Sequence, residues 1–306
     1  MKWPLREPQR AQLAAALQNH DQHVQPLPGI ADPRALRALT LQLIASLRRE
    51  DYYSLVQQKP IAAGRADPNS PSFDPERAVA FHIQQGNIEE AAWLVFIMTH
   101  FARPTDTGWL RLRDVYGRLG AGVWDFPTVS ANPGAFVAWL NAHWMQIRGK
   151  FGNHRKYESL DPQANRNMGR VLTSYLAWIG PGGHAQKFAG VVHAAGNDPH
   201  TIFDALYNDM AVVSFGRLAK FDYLSLIGRY GIAPISAGSA YLAGATGPAR
   251  GARLLFDGTV DGASTVHQLQ AMLNQLDHGL QVGMAVLEDS LCNWQKSPLN
   301  FVHYTG

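Results

Sequence analysis

An all-α fold is what this sequence predicts, on three observations. Asx-Pro pairs recur along the chain, apolar residues return at spacings of three and four, and no convincing run of alternating polar and apolar residues appears. Asp32-Pro33, Asp74-Pro75, Asn132-Pro133, Asp161-Pro162 and Asp198-Pro199 each place a capping side chain before a proline at a first helical position. With 46% hydrophobic residues in 306, the chain has enough apolar surface for a full core.

Taken in order, residues 1–31 read as one polar, alanine-rich helix and a Pro/Gly-rich link. A helix over 33–57 carries Leu36, Leu39, Leu43 and Leu47, and a polar loop over 59–73 follows it. The helix from Pro75 stops at Gly86-Asn87. After its acidic first turn, IEEAAWLVFIMTHF is nearly all apolar and so predicts the buried central helix of the first half. Helical segments over 106–119 and 133–150 come next, the second with Phe136, Trp139, Leu140 and Trp144. A helix running through Trp178 breaks at Gly180-Pro181-Gly182-Gly183, a hairpin-like turn whose glycines offer backbone N–H groups to a phosphate. Residues 201–213 are amphipathic, and 263–277 and 279–294 make two closing helices. The expected organisation is an N-terminal helix and link over 1–32 and a single helical domain, or two interlocked lobes, over 33–306.

The rest of the chain is arranged around residues 214–257. This stretch starts as a helix, with Leu218, Phe221, Leu224 and Ile227 at helical spacing, and is expected to end as a string of tight turns. Asp222 falls one turn after Leu218 and one before Leu226, on a leucine-lined side, where a carboxylate needs hydrogen bonds or a chemical task. Lys220 is two positions away, and such pairs do not face each other on a helix. The glycines from 231 to 251 let backbone approach a ligand closely. Ser236, Ser239, Thr246, Arg250 and Arg253 add donors. The competing reading is a core helix followed by a structured loop.

The most basic region is 148–170. Arg148, Lys150, His154, Arg155, Lys156, Arg166 and Arg170 are interleaved there with Phe151 and Tyr157, a combination suited to phosphates and an exposed base, or to a solvated surface. A formal charge of +3 fits an anionic partner without requiring one. On the last helix Glu288, Asp289, Asn293 and Trp294 interrupt an apolar pattern, with Asp289 and Asn293 one turn apart.

Much is excluded. Cys292 is the only cysteine, so there is no intramolecular disulfide and no cysteine-rich metal site. MKWPLREPQR lacks the apolar core of a signal peptide, and no stretch is long enough to span a bilayer, so a cytoplasmic protein is expected. There is no Walker loop, Rossmann signature, HExxH or nucleophile elbow. His20 and His23 lack further ligands, and His184, His193 and His200 read as structural; neither a metal nor a cofactor is expected.

Several segments together resemble one family: DPERAVAFHIQQGNIEEAAWLVFIMTHF (74–101), WLRLRDVYGRLGAG (109–122), FGNHRKYESL (151–160), FGRLAKFDYLSLIGRYGIAPISAGSAYLAGATGPARGARLLFDG (215–258) and GMAVLEDSLCNWQKSP (283–298). They resemble the alpha-glutamyl/putrescinyl thymine pyrophosphorylase group, its third clade. The resemblance implies a branch of the helix-hairpin-helix DNA glycosylase superfamily, associated with phage DNA hypermodification and with phage-defence glycosylases. The superfamily's usual order puts a lysine, and further on an aspartate, after the hairpin; here Lys220 and Asp222 sit in one helix instead.

Taken with the resemblance, the sequence reading favours a DNA glycosylase. It would excise a bulky hypermodified pyrimidine (modified thymine or glucosylated hydroxymethylcytosine) from phage DNA in anti-phage defence. Asp222 would stabilise the sugar cation, and Lys220 and Asp289 are the other candidate catalytic residues. Tyr223, Tyr230, Tyr241 or Trp294 would line the flipped-base pocket. Arg148, Lys150, His154, Arg155, Lys156, Tyr157, Arg217, Ser239, Arg250 and Asn293 would hold DNA. The alternatives are a transferase that replaces pyrophosphate on 5-hydroxymethyluracil with an amine, and a DNA-binding protein without activity.

Overall fold

Helices form every regular element of the computed structural model, which describes residues 2–304. In order they are α1 (Glu7–His23), α2 (Pro33–Gln57), α3 (Pro75–Gln84), α4 (Ile88–Phe101), α5 (Leu110–Tyr116), α6 (Phe126–Ala131), α7 (Pro133–His143), α8 (Met168–Ile179), α9 (Gly183–Ala195), α10 (Pro199–Asp209), α11 (Arg217–Arg229), α12 (Thr246–Asp257), α13 (Val266–Leu280) and α14 (Met284–Trp294). Among the described residues the sole β-type pairing is one isolated bridge between Ser159 and Asn167. Among the described residues no helix is long and apolar enough to cross a membrane.

The chain forms two units. One joins the first 52 residues to those from 237 on, and the other holds 53–236. The boundary expected at residue 32 falls inside the first unit.

Four of the five Asx-Pro pairs start helices. Asp74 accepts from Glu76 N–H, Asn132 from Ala135 N–H and Asp198 from Thr201 N–H, and Asp32 accepts from Arg34 N–H at the head of α2. Asp161 does not cap a helix. It accepts from Gln163 N–H and turns the chain, and Asn167 caps α8 through Arg170 N–H. The Asn167 amide also donates to Pro162 and Ala164 carbonyls, which holds the intervening loop closed.

The core of the second unit is α4, buried from Glu90 to Phe101 as its apolar sequence predicts. Trp93 and Phe96 stack at 5.4 Å, Phe96 meets Tyr175 of α8 at 3.6 Å, and Phe215 lies 5.5 Å from Phe96. The Trp93 indole donates to the Trp124 carbonyl at 2.8 Å, so burial leaves it satisfied.

Glu90 is the one carboxylate inside this helix face. It is 2% exposed and accepts from the Tyr116 hydroxyl at 2.5 Å and the Phe126 N–H at 2.7 Å. Burial pushes its pKa from 4.5 up to about 7, against the pull of both donors. An acid whose folded pKa is raised binds its proton more tightly when folded. Its contribution is therefore most favourable below 4.5 and is lost as pH rises towards 7. Glu90→Gln should remove that loss, which is on the order of 3 kcal/mol. Denaturant titrations of both proteins from pH 5 to 8 isolate this group from the histidines, and parallel pH profiles would discard Glu90 as the source.

In the first unit the structure corrects the string of turns expected up to 257: residues 246–257 are helical. Gly247 and Gly251 lie one turn apart, and α12 packs closely on α14. A Cβ on Gly251 would collide with the Leu291 carbonyl, and one on Gly247 with Cys292 Sγ at 2.6 Å. These glycines admit a neighbouring helix, and the Gly251 N–H is committed to the interior of α12. α13 starts with a capping box between Thr265 and Gln268.

Candidate functional site

The second unit holds the strongest concentration of buried polar chemistry, at the entry to α11. Ser214 has φ +64, a left-handed conformation rarely adopted by a non-glycine residue, and it turns the chain into the helix. Asp222, half-buried, follows in the second turn of α11. Lys220 is directed elsewhere: its ammonium donates to the Tyr207 carbonyl at 3.1 Å and lies 5.3 Å from that ring. Burial lowers the Lys220 pKa, and Asp209 partly offsets this.

Arg155 is the hub of the cluster. It was expected on a phosphate-binding surface, yet it is only 7% exposed. Its guanidinium donates to the Ser214 carbonyl at 2.7 Å and to the His100 carbonyl at 3.4 Å, and covers the Phe215 ring at 4.8 Å. Glu158 lies 3.5 Å from it, and Arg166 reaches Glu158 at 3.9 Å from a side chain 55% exposed. Asp222 is close enough to act on Arg155 electrostatically. Burial lowers the Arg155 pKa, while Glu158 and Asp222 raise it again. Burial raises Glu158, opposed by Arg155, a hydrogen bond to Ser214, and Arg166.

Polar capacity is left over here. Both ring nitrogens of His100 are buried without a hydrogen-bond partner among the described residues, while Arg155 Nη2 and Glu158 Oε2 face each other only as a long ion pair at 3.5 Å. His100 is fully buried, and burial first and Arg155 second keep it neutral. A buried imidazole with neither nitrogen bonded is a costly arrangement for structure alone.

The remaining basic residues of 148–157 divide. Arg148 pairs with buried Asp114 at 2.7 Å, and Lys150 pairs with Asp106 at 2.7 Å on an open surface. His154, Lys156 and Tyr157 are exposed, with the Lys156 ammonium 5.1 Å from the Tyr157 ring. An open groove of about 560 Å³ is lined by Asn141, Asn167, Arg170, Ser174 and Val213 among others, and by none of the residues 148–157.

The glycine hairpin between α8 and α9 is present, with the Gly180 and Gly183 N–H groups donating to the Leu176 and Gly180 carbonyls and the following N–H groups taken by a carboxylate. The His184 and Ala185 N–H groups donate to the Glu89 carboxylate at 2.8 and 2.9 Å. The same carboxylate accepts from His184 Nδ1 at 2.7 Å and has its pKa lowered to about 2. His184 Nε2 then meets the Tyr175 hydroxyl at 2.6 Å, and Tyr175 meets Tyr223 at 3.1 Å. Tyr223 is thus a fully buried member of a hydrogen-bonded chain and not a pocket wall. Tyr230 is 1% exposed and donates to the Glu76 carbonyl.

Arg217 starts α11, with its guanidinium 4.8 Å from the Phe221 ring. The other expected residues belong to the first unit. Asp289 is paired with Arg49 and accepts from Asn293 at 3.0 Å. Trp294 is fully buried and donates to the Pro298 carbonyl, so it too is core. Ser239 donates to Gln270, Tyr241 has φ +46, and Arg250 is exposed. No group of three or more His, Cys, Asp or Glu among the described residues is arranged to hold a metal ion.

Sequence reasoning did not single out Glu158, His100 or Glu89. The signals were weak ones: Glu158 stands three residues after Arg155, and His100 is a lone imidazole in an apolar helix.

No curated protein and no solved structure matches the chain. A family model described as alpha-glutamyl/putrescinyl thymine pyrophosphorylase clade 3 matches residues 34–306 and so takes in both units. The chain belongs to that family, clade 3 of the alpha-glutamyl/putrescinyl thymine pyrophosphorylases.

Proposed function

We propose that this protein is a DNA base-modifying transferase that exchanges a pyrophosphate for an amine on the C5 methylene of a modified uracil. The observation that carries this reading is the family match over residues 34–306. It favours the transferase over the glycosylase preferred from the sequence. The substrate is DNA carrying 5-hydroxymethyluracil pyrophosphate. The amine nitrogen forms a bond to the methylene carbon. The carbon–oxygen bond breaks, its electron pair leaves with pyrophosphate, and one proton leaves the nitrogen.

The α11 cluster supports the reading by its chemistry. The departing pyrophosphate needs cations, and Arg166 and Arg217 are partly exposed in this unit. Positive charge developing on the methylene, or the proton of the incoming amine, needs a carboxylate, and Asp222 is the half-buried one. Arg155 holds the Ser214 turn from which α11 starts, and so positions Asp222.

The test is a product analysis. The protein is incubated with hydroxymethyluracil-pyrophosphate DNA and putrescine, and the digested nucleosides are read by mass spectrometry. One pyrophosphate should be released for each aminated thymine formed. Free base and abasic sites without an amine adduct would assign a glycosylase instead, and unchanged nucleosides would leave only DNA binding.

A further inference from the structure

A second candidate surface lies in the first unit, away from the 148–170 stretch. Three rings from the two ends of the chain meet there. Trp3 lies 5.6 Å from Phe301 and 5.3 Å from His303, and Phe301 lies 6.2 Å from His303. The tail is anchored by the Gln42 amide, which donates to the Val302 carbonyl at 2.9 Å. All three rings are half-buried. Two exposed cations cover them: Arg48 stands 4.5 Å from the Trp3 ring, and Lys2 stands 5.5 and 5.2 Å from Trp3 and Phe301.

Lys2 and Arg48 differ from the four arginines of the unit that have carboxylate partners. Arg6 pairs with Asp51, Arg10 with Glu7, Arg34 with Asp32 and Arg49 with Asp289. Lys2 and Arg48 have no carboxylate partner among the described residues. His303 reports the local field: burial lowers its pKa first, and Lys2, Arg49 and Arg48 lower it further, with no acid acting against them. Cations beside partly exposed rings match a phosphate backbone with unstacked bases better than they match a carboxylate-rich peptide, which offers no flat apolar face.

We infer that this patch docks an unpaired stretch of DNA, with phosphates on Lys2 and Arg48 and a base against the Trp3, Phe301 and His303 rings. The inference rests on DNA being the partner and not on the transfer chemistry, so binding is measured without turnover. The probe is a fluorescent, unmodified thymidine oligonucleotide, read by anisotropy across a salt series. Lys2→Ala/Arg48→Ala should lower the salt slope by about 1.4, since each single-strand phosphate contact contributes roughly 0.7. Trp3→Ala should weaken binding roughly 5- to 150-fold at nearly constant slope, and an abasic oligonucleotide should not sense this substitution. Thermal melts check that Trp3→Ala remains folded, and the doubly substituted protein alters only exposed side chains. Lys59→Ala/Arg34→Ala removes the same charge from other exposed sites. The inference is overturned if this control lowers the slope equally, if the slope of the Lys2/Arg48 variant stays at the wild-type value, or if polyglutamate competes as well as the oligonucleotide.

Discussion

Asp222→Asn should bind DNA within a few-fold of the wild type and turn over roughly 10²–10³ more slowly, the loss seen when a main electrostatic stabiliser is removed. The argument is one of differential stabilisation. Asparagine keeps the size of the side chain and removes its charge. The half-buried Asp222 carboxylate acts on Arg155 in the ground state, and it stabilises the further positive charge that develops in the transition state. In the proposed exchange that moment comes as pyrophosphate leaves the methylene or as the amine nitrogen becomes cationic. Neither charge exists in the bound DNA, so DNA binding is spared. Single-turnover pyrophosphate release and oligonucleotide anisotropy separate the two effects. Equal losses in both would make Asp222 a binding residue, and wild-type release would take it out of the chemistry altogether.

The contrast between Asp222 and Arg155 shows what was legible. Helix starts were readable because a cap is local: Asp74, Asn132 and Asp198 bond N–H groups two or three residues on. The apolar run of α4 likewise predicted its burial. Asp161 has the same local signal but lost to Asn167, whose side chain both closes the loop and caps α8. The glycines of α12 misled for a different reason. Their spacing serves a contact with α14, formed some forty residues later in the chain, and nothing near them in sequence says so. Asp222 could be placed because its helical neighbours fix its face. Arg155 looked like a surface cation because its partners are remote: Ser214 is 59 residues away and the His100 carbonyl 55. The Glu89–His184 pair, 95 residues apart, was hidden in the same way. A charged residue's neighbours in sequence do not tell whether it is solvated or serves as an interior tie.

Arg155→Ala should cost about 3–5 kcal/mol of stability, the usual penalty for leaving a buried charge without its partner. The substitution removes the donors to Ser214 and His100 and the cation over Phe215, and it leaves Glu158 only 8% exposed, with Arg166 3.9 Å away. Burial already raises Glu158, and Arg155 is the largest influence holding it down, so its removal lets the pKa climb further. The sign of the pH dependence follows. An acid raised in the folded state costs stability where it is ionised, and protonation at lower pH relieves that cost. Arg155→Ala should therefore be most destabilised above neutrality and recover part of its stability near pH 5. Replacing both partners, as Arg155→Met/Glu158→Leu, should be less destabilising than Arg155→Ala alone, because no charge remains stranded. Denaturant midpoints for the three proteins at pH 5 and pH 8 measure all of this. A pH-independent loss for the single variant, or a double variant no more stable than it, would mean that Arg155 acts through its ties to Ser214 and His100 and not by neutralising Glu158.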